Sequence, residues 1–121
     1  MDAEKLVSIV EDDESLREAL VGLLRSLGYA ARGFASAEDF LSVRDGRCAC
    51  IITDIRMPGI SGIEMTERLR AMGYSAPVIM ITARAEPRLE QQALACGAMC
   101  VLRKPFEADA LVDCLERALA A

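Results

Sequence analysis

The sequence predicts an α/β fold, an open five-stranded parallel sheet with helices on both faces. Short apolar runs alternate with amphipathic stretches five times along the chain, which is how repeated βα units read. The runs are almost continuously apolar instead of alternating, as expected of strands buried on both faces. The 121 residues, of which 53% are apolar and 27% charged, fit one compact domain spanning 1–121 and neither a disordered nor a fibrous chain.

Leu6-Val7-Ser8-Ile9-Val10 is a short run rich in β-branched residues that ends in acid, and it predicts the first strand. Leu16, Ala19/Leu20, Leu23/Leu24 and Leu27 then recur at three- and four-residue steps, the stripe of an amphipathic helix, which Gly28 stops. Residues 29–34 are the second strand. Ser36, with the acid of Asp39 three residues on, caps a short helix before Phe40-Leu41. Residues 49–53 form the third strand, ending at Asp54. A turn with Pro58 and Gly59 leads to a helix with Met65, Leu69 and Met72 on one face. Residues 77–81 are the fourth strand, and Pro87 suits the first turn of the next helix, 87–96. Residues 100–102 are the fifth strand, and Leu111, Cys114/Leu115 and Ala118/Leu119 mark the closing helix.

Composition narrows the chemistry. A net charge of −5 with no Lys/Arg cluster argues against direct nucleic-acid binding by this chain. With no His, Ser-His triads and His-ligated zinc are excluded. The five cysteines form no C-x-x-C pair, so they read as small core hydrophobes in a reducing compartment. Charged residues interrupt every apolar run, so no membrane span is expected. The first five residues lack the basic-then-apolar pattern of a signal peptide, which points to the cytoplasm.

In an open parallel sheet, ligands collect beyond the carboxyl ends of the strands. Those ends carry Glu11-Asp12-Asp13, Asp54, Thr82 and Arg103-Lys104-Pro105. Carboxylates so close repel unless a cation is present. An oxygen-only set suits Mg²⁺. A carboxylate can attack phosphorus to form an acyl phosphate, while a metal, an ammonium and a hydroxyl offset charge on the phosphoryl oxygens.

Val10-Glu11-Asp12, the run from Asp54 to Gly62 (DIRMPGISG), Ile81-Thr82-Ala83 and Lys104-Pro105-Phe106 together resemble the ordered signature of bacterial response-regulator receivers over essentially the whole chain. The D-x-R-M-P run and Ser36-Ala37-Glu38-Asp39-Phe40-Leu41 most resemble the FixJ subgroup. The resemblance implies a flavodoxin-like doubly wound sheet in the order 2-1-3-4-5 with five helices. It implies Asp54 as phosphoacceptor, with Thr82 and Lys104 contacting the phosphoryl group. It implies Mg²⁺ held by Asp12, Asp54 and the backbone carbonyl of Arg56, with Glu11 acting through water, and a cis Lys104–Pro105 bond. It further implies a sensor histidine kinase as donor, control of an output such as transcription, and a homodimer formed on phosphorylation through the fourth helix and fifth strand. Leu89 and Val101 are the expected apolar patch there, beside Arg88, Glu90 and Arg103. No output domain is expected within this chain, which is read either as one domain of a longer regulator or as a stand-alone one.

Three features depart from the family or leave alternatives open. Glu11 stands where Asp is common, and Val101 where receivers often carry an aromatic that swings inward; Val is too stiff and small for that. Arg56 and Arg84, two residues after Asp54 and Thr82, are either solvated arginines or groups that tune access to the acyl phosphate. Asp13 is expected to be solvent-exposed. Two rival functions remain. A haloacid-dehalogenase-type phosphatase also uses an Asp nucleophile, Mg²⁺, Thr and Lys, but needs a second Asp where this chain has Arg56. A degenerate receiver serving only as a binding module conflicts with the intact acid, Asp, Thr and Lys set.

Overall fold

A computed structural model describes residues 6–43, 48–83 and 86–120. The elements follow in strict βα alternation: β1 (Leu6–Val10), α1 (Glu14–Ser26), β2 (Ala30–Phe34), α2 (Ala37–Val43), β3 (Cys48–Asp54), α3 (Gly62–Ala71), β4 (Val78–Thr82), α4 (Pro87–Ala95), β5 (Ala98–Arg103) and α5 (Ala108–Ala120). All pairings are parallel and the strand order is β2-β1-β3-β4-β5, as expected.

Because side chains alternate across a strand, the sheet builds two cores. Val7, Ile9, Cys50, Ile52, Ile79 and Ile81 pack under α1 and α5, meeting Leu20, Leu24, Leu111 and Leu115. Val10, Ile51, Val78 and Met80 face the other way, against Phe40 of α2, Met65 and Leu69 of α3 and Ala93 of α4. Phe34 and Phe40 meet edge-on, with ring centroids 5.2 Å apart. With both faces covered, none of the central strands needs a polar side, which is why their sequences run almost continuously apolar, with Ser8 and Thr53 as buried exceptions.

Several boundaries move for local reasons. Leu27 and Met72, expected on buried helical stripes, are 48% and 49% exposed. Each sits at a helix C-cap, and the chain then turns through a left-handed glycine, Gly28 (φ 95°) or Gly73 (φ 82°), so the stripe ends one residue earlier. Cys96 is likewise a C-cap before Gly97 (φ 112°) and not a residue inside the helix. The fifth strand starts two residues before its apolar run because Ala98 pairs with Val78, and Thr82 joins β4 by pairing with Arg103. Asp13 is exposed, as expected, but it also caps α1, its Oδ1 accepting the Leu16 N–H at 3.1 Å. Ser36 accepts the Asp39 N–H at 3.0 Å, as the sequence suggests. Among the described residues no helix is long and apolar enough to cross a membrane.

Candidate functional site

Sheet register gathers the acids, the hydroxyl and the lysine at one edge. Val10 is level with Thr53, so Glu11 follows beside Asp54; Thr82 is level with Arg103, so Lys104 follows next to it. Backbone bonds continue beyond the paired residues. The Ile55 N–H donates to the Ile81 carbonyl and the Lys104 N–H to the Thr82 carbonyl, both at 2.8 Å, and the Glu11 N–H donates to the Phe34 carbonyl at 3.0 Å. The strand ends are thereby fixed at the positions where chemistry is expected. The Lys104–Pro105 peptide bond is cis.

From β5 the Lys104 side chain spans β4 to reach β3 and β1. Its Nζ lies 3.2 Å from Asp54 Oδ2 and 3.4 Å from Glu11 Oε1. Glu11 is 1% exposed and Asp54 7%, so water does little to separate their charges and the ammonium is needed between them. The Glu11 carboxyl is raised to about 7, chiefly by burial and further by Asp54, against the lowering effect of the Asp13 N–H bonded to Oε2 at 3.0 Å and of the Lys104 ammonium. Burial opposes the Lys104 ammonium, but the charges of Asp54 and Glu11 and their hydrogen bonds outweigh it, holding the lysine above its ordinary value. Thr82 ends β4 at the same edge and is buried.

Glu11, Asp12 and Asp54 each offer one carboxylate oxygen, and these lie within 4.8 Å of one another. Three hard oxygen donors, two of them buried and one exposed, fit a small divalent cation that keeps part of its water shell. Asp13 takes no part in this cluster, because its carboxylate is turned to α1.

The loop after Asp54 contains residues whose contacts the motif did not specify. The Gly62 N–H donates to the Ile55 carbonyl at 2.9 Å, and a Cβ on Gly62 would overlap the Asp54 carbonyl oxygen. A larger residue there would displace the acceptor strand's last peptide. Gly59 has φ 80°, and Glu38 of α2 fills the space where its Cβ would go, accepting the Ile60 N–H at 3.2 Å. Ser61 caps α3 through the Glu64 N–H at 3.1 Å. The two glycines in Pro58-Gly59-Ile60-Ser61-Gly62 were the available signal. Glu38 had none, being 22 residues from its partner.

Arg56 is not simply solvated. Its guanidinium makes a two-point pair with Glu86, Nε to Oε1 at 2.8 Å and NH2 to Oε2 at 2.6 Å. The pair ties the connection after β3 to the start of α4. Arg84 lies outside the described residues. On the face assigned to self-association, Arg103 pairs with Glu90 at 3.0 Å. Leu89 instead packs into the second core and lines a groove of about 670 Å³ with Ile63 and Glu67 of α3. Leu89 and Val101 are both partly exposed, and the large apolar residues most exposed on α4 and β5 are Leu94 and Met99. Val101 is half-buried against the second core.

A family model for the response regulator receiver domain matches residues 7–116. The response regulator protein TmoT of Ectopseudomonas mendocina is 35% identical over 119 residues, covering 98% of this chain and 54% of TmoT. The transcriptional regulatory protein FixJ of Azorhizobium caulinodans is 39% identical over 115 residues, 93% of this chain and 54% of FixJ. The crystal structure of FixJ-N superposes with a TM-score of 0.88 at 32% identity, covering 98% of this chain and 96% of that one. The chain spans about half the length of the curated relatives it matches.

Proposed function

Because the chain belongs to the response regulator receiver family, we propose that it is a phosphorylatable switch whose Asp54 accepts a phosphoryl group from a phosphohistidine of a sensor histidine kinase. The observation that carries this reading is the Lys104 ammonium held against Asp54 and Glu11 in a carboxylate cluster at the sheet edge. An oxygen of the ionised Asp54 attacks phosphorus, a P–O bond forms, and the P–N bond breaks with its electron pair going to the imidazole nitrogen. No proton has to leave the nucleophile. Lys104 acts as a point charge on the phosphoryl oxygens, and the Thr82 hydroxyl donates to one of them. Glu11, Asp12, Asp54 and the backbone carbonyl of Arg56 would hold Mg²⁺, which when bound offsets charge on the same oxygens. Water attacking the phosphorus later returns Asp54 and inorganic phosphate. In the dehalogenase-type alternative the residue two beyond the nucleophile must deliver a proton. Here it is Arg56, paired with Glu86, which favours the switch.

The reading extends to output. Phosphate on Asp54 draws Thr82 inward, shifts α4 and favours a homodimer through α4 and β5, a population shift between two arrangements. Leu94 on α4 and Met99 on β5 offer exposed apolar area, and the Arg103–Glu90 pair joins the same two elements, which suits a weak contact. The relatives named as transcriptional regulators support control of transcription as the output, exerted in the cytoplasm, with any DNA contact made by another module because this chain carries a net −5.

Incubation with a small acyl phosphate and Mg²⁺ is expected to add one phosphoryl group, labile to hydroxylamine and absent from Asp54→Asn. Undiminished uptake by that variant would sink the proposal. Sedimentation should show the phosphorylated chain dimerising, and Leu94→Asp or Met99→Asp should return it to monomer.

A further inference from the structure

The start of α4 has an unusual arrangement of charge. Glu86 occupies the N-cap position, yet its side chain makes no capping hydrogen bond to the helix. Both its oxygens are committed to Arg56. Pro87, the first helical residue, has no N–H to satisfy, so the amides that a cap would serve are those of Arg88 and Leu89. The next carboxylate along, Glu90, is held by Arg103 of β5. The first turn of α4 is therefore fastened by two arginines, Arg56 from the connection after β3 and Arg103 from the end of β5, and it receives no cap from the Glu86 side chain.

We infer that the Glu86 carboxylate alternates between two partners, Arg56 in the unphosphorylated chain and the first-turn amides of α4 once phosphate is on Asp54, so that Glu86 is a positioning residue for the switch. Arg56 lies two residues beyond Asp54, and a phosphoryl dianion is a strong competitor for a guanidinium because it offers three acceptor oxygens and a fork geometry. The pair is open to exchange, since the side chain of Arg56 is 63% exposed and exposed pairs are weak. A carboxylate released at this point sits at the positive end of the α4 dipole, where it is stabilised by both charge and hydrogen bonding. Loss of the tie to Arg56 and gain of a cap then favour the same rearrangement of α4. This second half rests on the phosphoacceptor reading of Asp54; the first half does not.

The test measures hydrogen exchange of the Arg88 and Leu89 amides by NMR. In unphosphorylated protein, Arg56→Gln frees Glu86 and should slow exchange about fivefold, the effect of gaining a cap. Adding Glu86→Ala to Arg56→Gln should abolish the slowing, which a merely structural surface pair would not do. Wild-type protein carrying one phosphoryl group by mass should show the same slowing, and phosphorylated Glu86→Ala should not. Unchanged exchange in Arg56→Gln, slowing that survives loss of Glu86, or resting exchange in phosphorylated wild type would each overturn the inference. A chain that takes up no phosphoryl group refutes the phosphoacceptor reading instead, while the unphosphorylated variants still decide whether Glu86 can change partners.

Discussion

The Nζ of Lys104 lies 3.2 Å from Oδ2 of Asp54, across the strand that separates them in the sheet. One ammonium thus sits against a buried carboxylate, and on the proposed function it stands where phosphoryl charge would arrive. Lys104→Gln keeps a polar side chain, one bond shorter, without the charge. It should slow phosphoryl uptake from a small acyl phosphate about 10²-fold and leave the far-ultraviolet circular dichroism unchanged. Wild-type rates would reduce Lys104 to a surface residue.

Neighbouring acids should separate by function. Asp12 belongs to the carboxylate cluster, whereas Asp13 caps α1. Asp12→Ala should weaken Mg²⁺ binding, read by titration calorimetry, with little effect on unfolding. Asp13→Ala should bind Mg²⁺ nearly as well but lose about 1 kcal/mol of stability in urea, the ordinary value of an N-cap. Equal losses of affinity would place the metal cluster one residue away from where we put it.

Two glycines should respond in opposite directions to the same added methyl group. Gly62→Ala forces a Cβ against the Asp54 carbonyl and should cost about 1–3 kcal/mol, as overpacking against backbone does, while lowering phosphoryl uptake. Gly22, inside α1, has nothing within 4 Å of the same position. Gly22→Ala should stabilise by about 0.5–1 kcal/mol through helix propensity. Urea midpoints of both variants check the pair.

Alkaline pH should find the buried thiols. Burial, with Cys48 nearby, raises Cys50 to about 12, and burial with the neighbouring Cys114 raises Cys100 to about 11, from an unfolded value of 9.0. Folding therefore favours the neutral thiols. That contribution is complete below pH 9, where both states hold the proton, and is lost as pH rises toward 11–12, because the unfolded chain ionises first. The urea midpoint of wild type should fall more steeply above pH 9 than that of Cys50→Ala/Cys100→Ala. At pH 8, alkylation of Cys50 and Cys100 in the folded protein should be slow. Parallel pH profiles for wild type and variant would refute this.

The sequence by itself determined the order and kind of the elements, because five apolar runs separated by helical stripes leave few ways to bury both faces of a strand. It also carried the family resemblance and pointed to Glu11, Asp12, Asp54, Thr82 and Lys104 as candidates at one sheet edge, since motif residues follow directly after their strands. What it could not supply were contacts between side chains distant along the chain. Glu86 meets Arg56 across 30 residues and Glu38 meets the Pro58-Gly59-Ile60 turn across 22, and no local periodicity records either. The exposure of Leu27, Leu94 and Met72 was equally hidden, because a stripe of apolar residues does not say at which residue a left-handed glycine ends the helix or which side of it meets the sheet. Tertiary structure decided these points, for the physical reason that register and packing set distances between elements while sequence pattern sets only the form of each one.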